Sequence, residues 1–385
     1  MKQYKMVGLG TLIHQAKVIR CEDKNYPVLS MTMHDGLVFQ NEKFKKVIAS
    51  KDRYDYKVVK RNQLVIGFPI DEGVLATQRV TNIGIVSPAY GVWDVDQAKV
   101  LPEYLEKALR CERALNYYKA KLRGSTARRR SLPAETLLEF EIPLPDICEQ
   151  SAILDIIHKA HDVLLKRSVE FGQLDNLIKA RFVEAFGDPV TNPMEWEVAT
   201  IGDVVTEVRY GTSKPAVVDG KYPYLRMNNI TTDGHLDLND LKYIDITDDE
   251  IEKCVVRKGD VLFNRTNSIE LVGKTAVFDL PEDMVIAGYI IRVRLNDKLL
   301  PEVFSQYMNL EALKDILRSM AKGAVNQANI NAQELQSIKV YIPNMELQKQ
   351  FVEMKEQVNK SKVAIQKALD KTQLLFDSLM QEYFG

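Results

Sequence analysis

Cysteine is scarce in this sequence of 385 residues, and long apolar runs are missing. The four cysteines, Cys21, Cys111, Cys148 and Cys254, lie far apart and form no C-x-x-C pair. This spacing argues against a zinc ribbon or a disulfide scaffold and fits a reducing cytoplasm. No apolar stretch approaches the ~18 residues that a membrane-spanning helix needs, and residues 1–5 do not lead into the apolar core of a signal peptide. We therefore expect a cytoplasmic protein with no membrane partner.

The sequence also lacks an excess of charge of one sign. Its formal net charge is −1, so it does not have the overall basic character of many nucleic-acid-binding proteins. The charges are unevenly distributed, because residues 1–150 contain 24 Lys and Arg against 18 Asp and Glu, whereas residues 188–343 contain 17 against 24. The first half can therefore bind phosphate unaided, whereas the second half needs a local basic patch or a basic partner.

Sequence motifs of catalysis are missing as well. Asn-Pro-Met at 192–194 lacks the second proline of the methyltransferase loop Asn/Asp-Pro-Pro-Tyr/Phe, and we interpret it as part of a linker. Gly-Thr-Ser-Lys at 211–214 has the wrong order for a phosphate-binding loop. His158 and His161 are three residues apart, but no carboxylate or cysteine set completes a metal site beside them. We expect no catalytic residue and no metal, although the abundance of Asp and Glu leaves a nuclease-type carboxylate cluster open.

What the sequence does contain is an internal repeat. Matching segments recur in the same order with shifts of 196 to 199 residues: Tyr-Pro-Val-Leu at 26–29 with Tyr-Pro-Tyr-Leu at 222–225, Leu-Pro-Glu at 101–103 and 300–302, Gln150 with Gln348, and Phe-Gly at 186–187 and 384–385. Chance matches would not keep one register along the whole chain. The sequence therefore predicts a tandem duplication.

Each copy has the same internal plan. Short apolar runs separated by Gly, Pro, Asn and Asp predict strands joined by turns. The segments that follow, in order, are a helical stretch (about 101–122 and about 300–321), a polar loop from Gly124 or Gly323, a short extended piece (142–145 and 340–343) and a long helix (about 148–186 and about 345–383).

Apolar residues recur at alternating spacings of four and three along both long helices. This is the spacing of helices that pack side by side along one seam. The residues that we assign to helix pairing are Ile157, Leu164, Phe171, Leu174, Ile178, Val358, Ile365, Thr372, Leu375 and Leu379. A helix of this length is a rod of roughly 55 Å that can hold two domains a fixed distance apart. The alternative is two ordinary amphipathic helices, each packed on its own domain.

The residues that suit ligand binding are basic or amide side chains in loops. Arg and Lys suit phosphate oxygens, Arg also suits guanine edges, and Asn and Gln pair with adenine. The candidates for DNA binding are Arg79, Lys121, Arg123, Arg128, Arg129, Arg130, Lys214, Arg226, Asn228, Arg265, Asn267, Lys274, Asn326 and Gln327. For the Arg-rich segment 128–130, a solvated run of charge is the alternative.

Taken in order, several short motifs of the second half resemble the specificity subunits of type I restriction-modification systems. They are Trp-Glu-Val at 196–198, Ile-Gly-Asp at 201–203, Tyr-Gly-Thr-Ser-Lys at 210–214, Tyr-Pro-Tyr-Leu-Arg at 222–226, Asn-Ile at 229–230, Lys-Gly-Asp-Val-Leu-Phe at 258–263, Leu-Val-Gly-Lys at 271–274 and Asn-Ile at 329–330. The resemblance covers the whole chain, because the repeat extends it to the first half. That half departs from the pattern at 4–10 and 61–64, so the two halves should read different sequences.

The resemblance implies an α+β fold in which a mixed, β-rich target-recognition domain occurs twice. The implied parts are a first recognition domain at 1–147, a central spacer helix at 148–187, a second recognition domain at 188–344 and a C-terminal spacer helix at 345–385. The two spacer helices would pair as an antiparallel coiled coil. The chain would be non-catalytic and would recognise a bipartite, asymmetric site in double-stranded DNA. Its partners would be two methyltransferase subunits and restriction subunits, which would use S-adenosylmethionine, ATP and Mg; no cofactor is expected in this chain.

Three alternatives stay open. The chain could be the specificity subunit of a type II system whose nuclease and methyltransferase are one polypeptide. It could be a self-contained methyltransferase or nuclease. It could also be a coiled-coil adaptor that does not contact DNA.

Overall fold

Two helices of 40 residues each follow the β-rich regions of the chain in the computed structural model. The structure describes residues 4–33, 35–43, 53–122, 132–324 and 327–385. The chain divides into two compact units, of which unit 1 comprises residues 1–167 and 368–385, and unit 2 comprises residues 168–367. Each unit therefore contains part of both long helices. The fold is a mixture of helices and strands, as the sequence predicts.

The elements of the first half are ten short strands and five helices within the described residues. The strands are β1 (Met6–Gly8), β2 (Ile13–Gln15), β3 (Leu29–Thr32), β4 (Gly36–Phe39), β5 (Lys57–Lys60), β6 (Leu64–Ile66), β7 (Leu75–Thr77), β8 (Ile83–Val86), β9 (Gly91–Val95) and β10 (Glu141–Pro143). The helices are α1 (Gln40–Lys43), α2 (Pro102–Arg110), α3 (Glu112–Lys121), α4 (Ala134–Glu139) and α5 (Ile147–Phe186).

The second half contains the remaining elements. The strands are β11 (Glu197–Thr200), β12 (Val205–Tyr210), β13 (Tyr222–Leu225), β14 (Lys242–Ile244), β15 (Val255–Val256), β16 (Val261–Asn264), β17 (Thr266–Asn267), β18 (Thr275–Val277), β19 (Met284–Ile286), β20 (Ile290–Leu295), β21 (Lys322–Ala324), β22 (Gln327–Asn329) and β23 (Lys339–Ile342). The helices are α6 (Asp248–Cys254), α7 (Pro301–Met308), α8 (Glu311–Met320), α9 (Ala332–Gln336) and α10 (Met345–Phe384).

Each unit contains one antiparallel four-stranded sheet, and the strand orders correspond. Unit 1 has the order β2-β9-β6-β7, and unit 2 has the order β12-β20-β16-β18. In unit 1 Leu64 lies opposite Thr77, and in unit 2 Val261 lies opposite Val277. A second sheet in unit 2 has the order β14-β13-β19-β15, while in unit 1 the pairs β3-β4 and β5-β8 are connected by a parallel bridge between Val28 and Ile85.

Two buried glutamines anchor the starts of the long helices in the same way. In unit 1 the Gln150 side chain accepts a hydrogen bond from Leu101 N at 2.8 Å and donates to the carbonyls of Lys99 and Pro145, both at 2.9 Å. In unit 2 Gln348 accepts from Leu300 N and donates to the carbonyls of Lys298 and Pro343, all at 2.9 Å. Buried polar groups must be paired, so each glutamine fixes its helix to the loop before α2 or α7.

Local signals explain where the long helices begin and end. The Asp146 carboxylate accepts a hydrogen bond from Glu149 N, and the Asn344 side chain accepts one from Glu346 N, both at 2.8 Å. Such side chains cap the free N–H groups of a first helical turn. Helix α5 ends at Phe186 and is followed by Gly187, whose φ of 81° lies in the left-handed region that glycine adopts without strain.

The structure differs from the sequence prediction at two shorter elements. The predicted helical stretches at 101–122 and 300–321 are each broken into two helices, because Cys111 and Leu310 adopt extended backbone with ψ of 159° and 144°. The polar segment after Gly323 is a hairpin of β21 and β22, in which Gly323 lies opposite Ala328. The predicted loop from Gly124 lies outside the described residues.

The core of each unit includes aromatic residues from the long helices. In unit 1 Phe384, from the end of α10, is fully buried with its ring centroid 5.0 Å from that of Tyr104. In unit 2 Phe182 and Phe186 of α5 are fully buried and contact Phe351 of α10 at centroid distances of 5.3 and 5.5 Å. Full burial of such a side chain contributes about 1.5–3 kcal/mol, so the long helices stabilise both units.

Candidate nucleic-acid interface

A small three-stranded sheet in unit 2 brings several predicted DNA-binding residues together. Strand β17 pairs with β22, so that Asn267 lies opposite Ala328, and Gln327 follows on the exposed end of the same hairpin. The Asn267 side chain donates a hydrogen bond to Asn264 Oδ1 at 2.9 Å, which leaves its own oxygen for the backbone N–H of Ser268. Predicted Asn326 lies outside the described residues. This edge therefore presents amide groups on paired strands.

Arg265 lies beside this sheet against an aromatic ring that the sequence search for binding residues did not select. Its guanidinium carbon is 5.0 Å from the ring centroid of Tyr210. The Tyr210 hydroxyl accepts a hydrogen bond from Ala332 N at 2.8 Å, and Tyr210 is 44% exposed. Stacking on an aromatic face orients the planar guanidinium while leaving its N–H groups free to donate. The tyrosine at the start of the 210–214 motif was the available sequence signal.

Two further candidates, Arg226 and Asn228, lie in the turn after β13. Arg226 donates to the Asp240 carboxylate at 2.7 Å and to its carbonyl at 2.9 Å, while Asn228 is exposed. A single exposed ion pair is worth at most about 1 kcal/mol, so a phosphate can compete with Asp240 for Arg226. Lys214 is also exposed and pairs with Glu250, and the same argument applies to it.

The structure places Lys274 differently from its prediction as a DNA contact. This residue is 7% exposed, and its ammonium donates to the carbonyl of Met227 at 2.8 Å. Burial lowers the pKa of Lys274. The side chain holds the turn that carries Arg226 and Asn228, and its burial argues against direct contact with DNA. The Leu-Val-Gly-Lys motif at 271–274 could not predict that Lys274 is buried, because a sequence motif does not show which way a side chain points.

In unit 1 the structure gives less support to the predicted residues. Arg79 donates to Glu103 at 2.6 Å and lies 3.7 Å from Glu106, so it belongs to an ion network. Lys121 is exposed at the end of α3. The predicted residues Arg123, Arg128, Arg129 and Arg130 lie outside the described residues.

Two carboxylates of acidic unit 2 are paired with arginine side chains. Arg294 donates to Asp260 at 2.8 Å and to Glu207 at 2.9 Å, and fully buried Arg292 donates to Glu207 at 2.7 Å. Burial raises the pKa of Glu207, but the hydrogen bond from Arg209 and the charges of Arg292 and Arg294 outweigh it and lower that pKa overall. These carboxylates therefore repel a nearby phosphate less than the count of acidic residues suggests.

The predicted helix-pairing residues lie mostly on buried faces. Ile157, Ile178, Val358 and Thr372 are each less than 10% exposed. The residues of intermediate burial are Leu164, Phe171, Leu174, Ile365 and Leu379.

Leu375 is the exception, because it is 55% exposed. In unit 1 the apolar face continues from Thr372 through Phe376, Met380 and Tyr383, which pack against the core. The spacing after Thr372 is therefore four residues and not the three that we assumed, and Phe376 replaces Leu375 in the seam.

The contacts between the long helices combine apolar and polar groups. In unit 1 Arg167 donates to the carbonyl of Ala368 at 2.6 Å and also to the Thr372 hydroxyl. In unit 2 the Lys362 ammonium bonds to Asp175 at 2.5 Å and lies 4.6 Å from the ring centroid of Phe171. The sequence analysis did not select Arg167, Asp175 or Lys362, because an apolar pattern does not identify polar residues of a helix contact.

The two neighbouring histidines of α5 have separate environments in unit 1. His158 bonds to Glu103 at 2.8 Å, whereas the His161 ring lies 6.2 Å from that of Phe376. Among the described residues, no group of three or more His, Cys, Asp or Glu side chains could hold a metal ion. Over the same part of the chain, no helix is both long and apolar enough to cross a bilayer.

Comparison with known proteins bears on this interface. Residues 193–373 match the family model of the type I restriction modification DNA specificity domain. The putative MjaX specificity subunit of Methanocaldococcus jannaschii is 32% identical over 166 residues, which are 42% of this chain and 39% of that protein. The EcoKI specificity subunit of Escherichia coli K12 is 25% identical over 236 residues, which are 57% of this chain and 50% of that protein.

Residues 193–373 are therefore similar to the DNA specificity domain of type I restriction-modification systems. The chain spans half or less of the length of these curated relatives. The interface described above falls within residues 193–373, the segment that matches the DNA specificity domain.

Solved structures share the fold over nearly the whole chain. A chain from a structural study of complex assembly and conformational transition of the type I restriction-modification system matches with a TM-score of 0.63 at 17% identity, covering 100% of this chain and 98% of that one. The type I restriction-modification S subunit from M. genitalium matches with a TM-score of 0.54 at 14% identity, covering 99% and 96%.

Proposed function

We propose that this chain is the specificity subunit of a type I restriction-modification complex and recognises a bipartite, asymmetric DNA site. The observation that carries the proposal is the match of residues 193–373 to the DNA specificity domain, on which Arg265, Asn267 and Gln327 lie together. Phosphate contacts would position each reading domain, and Arg, Asn and Gln side chains would read the base edges.

A tandem duplication supports the two-part site. The corresponding strand orders of the two four-stranded sheets and the matched hydrogen bonds of Gln150 and Gln348 are what two copies of one domain would have. We propose recognition domains at 1–147 and 188–344. Their different surface residues, such as Arg79 in a network and Arg265 on a tyrosine, favour two different half-sites.

The long helices would set the gap between the half-sites. Within unit 2, Phe182 contacts Phe351 while the more N-terminal Asp175 of α5 contacts the more C-terminal Lys362 of α10. This order supports an antiparallel coiled coil of the spacer helices at 148–187 and 345–385. A continuous helix of 40 residues is about 60 Å long and is stiff enough to fix a spacing. Domains about one helical turn of DNA apart would contact the same face of the duplex.

The proposed partners are two methyltransferase subunits and restriction subunits, with the chain itself non-catalytic. S-adenosylmethionine, ATP and Mg would be bound by those subunits. The exposed apolar side chains of α5 support a protein-binding role for the spacer helices; those at least 39% exposed are Ile156, Val163, Leu165, Val169, Leu177 and Val183. A cytoplasmic location is part of the same proposal.

Methylome sequencing of a host with and without this chain tests the proposal. We expect one bipartite methylated motif that disappears on deletion of the chain. Replacing residues 188–344 with the domain of another family member should change one half of the motif, and the matched exchange of 1–147 should change the other half. A change of both halves by either exchange, or no lost motif, contradicts the assignment.

The alternatives give different results. A type II specificity subunit would co-purify with one polypeptide that both cuts and methylates DNA. A self-contained methyltransferase would bind labelled S-adenosylmethionine without a partner. An adaptor would leave a DNA duplex unshifted in gels with or without the methyltransferase subunit.

A further inference from the structure

One arginine of the proposed second recognition domain, residues 188–344, is left without an internal partner. Arg265 has a guanidinium that makes no ion pair or hydrogen bond with any residue that the structure describes. A guanidinium has five N–H donors and a permanent charge, so Arg265 can bind an acceptor from outside the chain. The other six arginines of this segment each pair with a carboxylate: Arg209, Arg226, Arg257, Arg292, Arg294 and Arg318.

The position of Arg265 is fixed by its backbone and by an aromatic ring. Its backbone N–H donates to the carbonyl of Tyr289 at 3.0 Å, and its carbonyl accepts from Ile330 N at 2.9 Å. The guanidinium lies on the Tyr210 ring. Of its nitrogens, Nε is the one that is buried without a partner, so the two terminal nitrogens stay accessible to an acceptor. A side chain held in this way loses little conformational entropy when it binds.

The surroundings of Arg265 favour contact with a base over contact with a phosphate. Phosphate binding depends on clustered positive charge, whereas residues 188–343 contain 17 Lys and Arg against 24 Asp and Glu. The predicted binding residues on the adjacent small sheet are the amides Asn267 and Gln327. The Asn267 side chain already bonds to Asn264 and to Ser268 N, so Arg265 has the larger set of unused donors.

Guanine is the base whose edge matches two parallel N–H donors. In the major groove it presents the acceptors O6 and N7 side by side, and an arginine can bind both at once. Adenine presents an N6 amino donor where guanine has O6, so the same arginine disfavours adenine. Stacking on Tyr210 keeps the guanidinium in one plane, which such a two-bond contact requires.

We propose that Arg265 reads a guanine in the half-site bound by residues 188–344, and that Tyr210 is the residue that positions it. The inference rests on the proposed function and names one base of the site that this domain recognises. It also identifies the side chain whose replacement should change that base without changing the rest of the motif.

Unit 1 presents a different side chain at the corresponding place. The strand registers match Leu64 with Val261, and four residues further on these strands lead to Phe68 and Arg265. Phe68 is 44% exposed and has no side-chain hydrogen-bond donor. The Arg265 contact therefore has no equivalent at this position of unit 1, and the guanine belongs to one half of the motif.

Gel shifts with the full chain, purified by a tag together with its methyltransferase subunits, test the proposal. Methylome sequencing and the exchange of residues 188–344 first identify the half-site that this domain reads. Each base pair of that half-site is then replaced in turn in otherwise identical duplexes. We expect Arg265→Gln to reduce the preference for guanine at one position by at least about fivefold, the lower end for a two-bond contact, with the other positions unchanged. Because glutamine pairs with adenine, adenine should then bind at that position at least as well as guanine.

Variants of β12 separate positioning from folding. Tyr210→Phe keeps the ring and should keep the guanine preference, although it loses the hydrogen bond with Ala332 N. Tyr210→Leu should reduce the preference at the same position as Arg265→Gln does, because the guanidinium loses its stacking surface. Arg209→Gln is the matched control, since Arg209 is an exposed neighbour that pairs with Glu207, and it should leave every base preference unchanged.

The outcomes distinguish this inference from the proposed function. A parent complex that binds the motif no better than a scrambled duplex contradicts the proposed function itself. With a specific parent complex, the inference alone is overturned by a half-site without a G·C pair, by an unchanged preference in Arg265→Gln, or by equal weakening on all duplexes, which indicates a phosphate contact. If Arg265→Gln does not assemble, Arg265→Lys decides, because it keeps the charge for a phosphate but should lose part of the guanine preference.

Discussion

Substitution of Lys314 by Met should remove the part of the pH dependence of unit 2 stability that comes from this buried lysine. Lys314 is 8% exposed on α8, and its ammonium donates to the carbonyl of Gly273 at 2.5 Å with no carboxylate within ion-pair distance in the described residues. Burial lowers the pKa of Lys314 from 10.5 to about 7, with a smaller contribution in the same direction from Arg318.

The sign of the pH effect follows from this pKa. The folded protein disfavours the charged lysine, so the unfolded chain binds the extra proton between pH 7 and 10.5. Stability therefore rises with pH in this window, at up to about 1.4 kcal/mol per pH unit from this group. Below pH 7 the full penalty is present, and above pH 10.5 it is lost.

The magnitude can be stated as a difference between parent and variant. Between pH 7 and 9 the parent should gain about 2–3 kcal/mol relative to Lys314→Met. At pH 7 itself the variant loses a hydrogen bond and leaves the Gly273 carbonyl unpaired, at a cost of about 1–3 kcal/mol that offsets part of its gain. The slope with pH is therefore more decisive than either absolute value.

Urea denaturation followed by tryptophan fluorescence measures this difference. The sequence has two tryptophans, Trp93 in unit 1 and Trp196 in unit 2, so a Trp93→Phe background reports on unit 2. Lys349→Met, at an exposed position of α10, is the matched control and should show no such slope. If the stability difference between parent and Lys314→Met changes by less than about 0.5 kcal/mol from pH 7 to 9, Lys314 is not a buried ammonium with a lowered pKa.

Three further substitutions test other parts of the structure. Arg265→Ala should weaken specific DNA binding by about 1–3 kcal/mol in gel-shift assays at fixed salt. Arg265→Lys should restore less than half of the lost binding free energy, because lysine does not stack on Tyr210 as the planar guanidinium does. Unchanged DNA binding by the alanine variant would show that Arg265 does not contact DNA. Gln348→Ala should destabilise unit 2 by about 2–4 kcal/mol, since it leaves three backbone groups near the start of α10 unpaired; an unchanged urea midpoint would show that water replaces the amide. Phe182→Ala should cost about 3–5 kcal/mol in the same assay, because its fully buried ring contacts Phe186 and Phe351; a loss below 1 kcal/mol would mean that the helix contact in unit 2 is not formed.

The long helices were the part of the fold that sequence reasoning located best. Their periodicity extends over many turns, and the predicted segments 148–187 and 345–385 differ by at most one residue at each end from Ile147–Phe186 and Met345–Phe384. Repeated apolar spacing over such a length is a strong signal, because each turn adds independent support. The apolar pattern could not show that Phe376, and not Leu375, faces the other helix, because Leu374, Leu375 and Phe376 are all apolar.

Shorter elements were harder to predict because tertiary contacts decide them. Nothing in the local pattern distinguishes one helix at 101–122 from two helices separated by extended Cys111. The segment that begins at Gly323 was expected to be a loop from its glycine and amides, yet pairing of β21, β22 and β17 makes it part of a sheet. Strands as short as three residues gain their stability from such partners and not from their own propensity.

The candidate interface shows a similar division. Residue type and loop position were enough to select Arg265, Asn267 and Gln327, which the small sheet brings together. They were not enough to recognise that Lys274 points inward or that Tyr210 supports Arg265. Both facts depend on side-chain direction across strands that are distant in sequence.

The division of the long helices between the units affects how the chain acquires its structure during synthesis. Unit 2 is one continuous stretch, residues 168–367, so all of it is synthesised before residues 368–385 of unit 1. Unit 1 cannot complete its core until Phe384 arrives, and Phe384 is separated by 273 residues from Cys111, whose thiol donates to its carbonyl. Closing so long a loop late is slow, so the domain whose translation begins first should be the last to become protease-resistant.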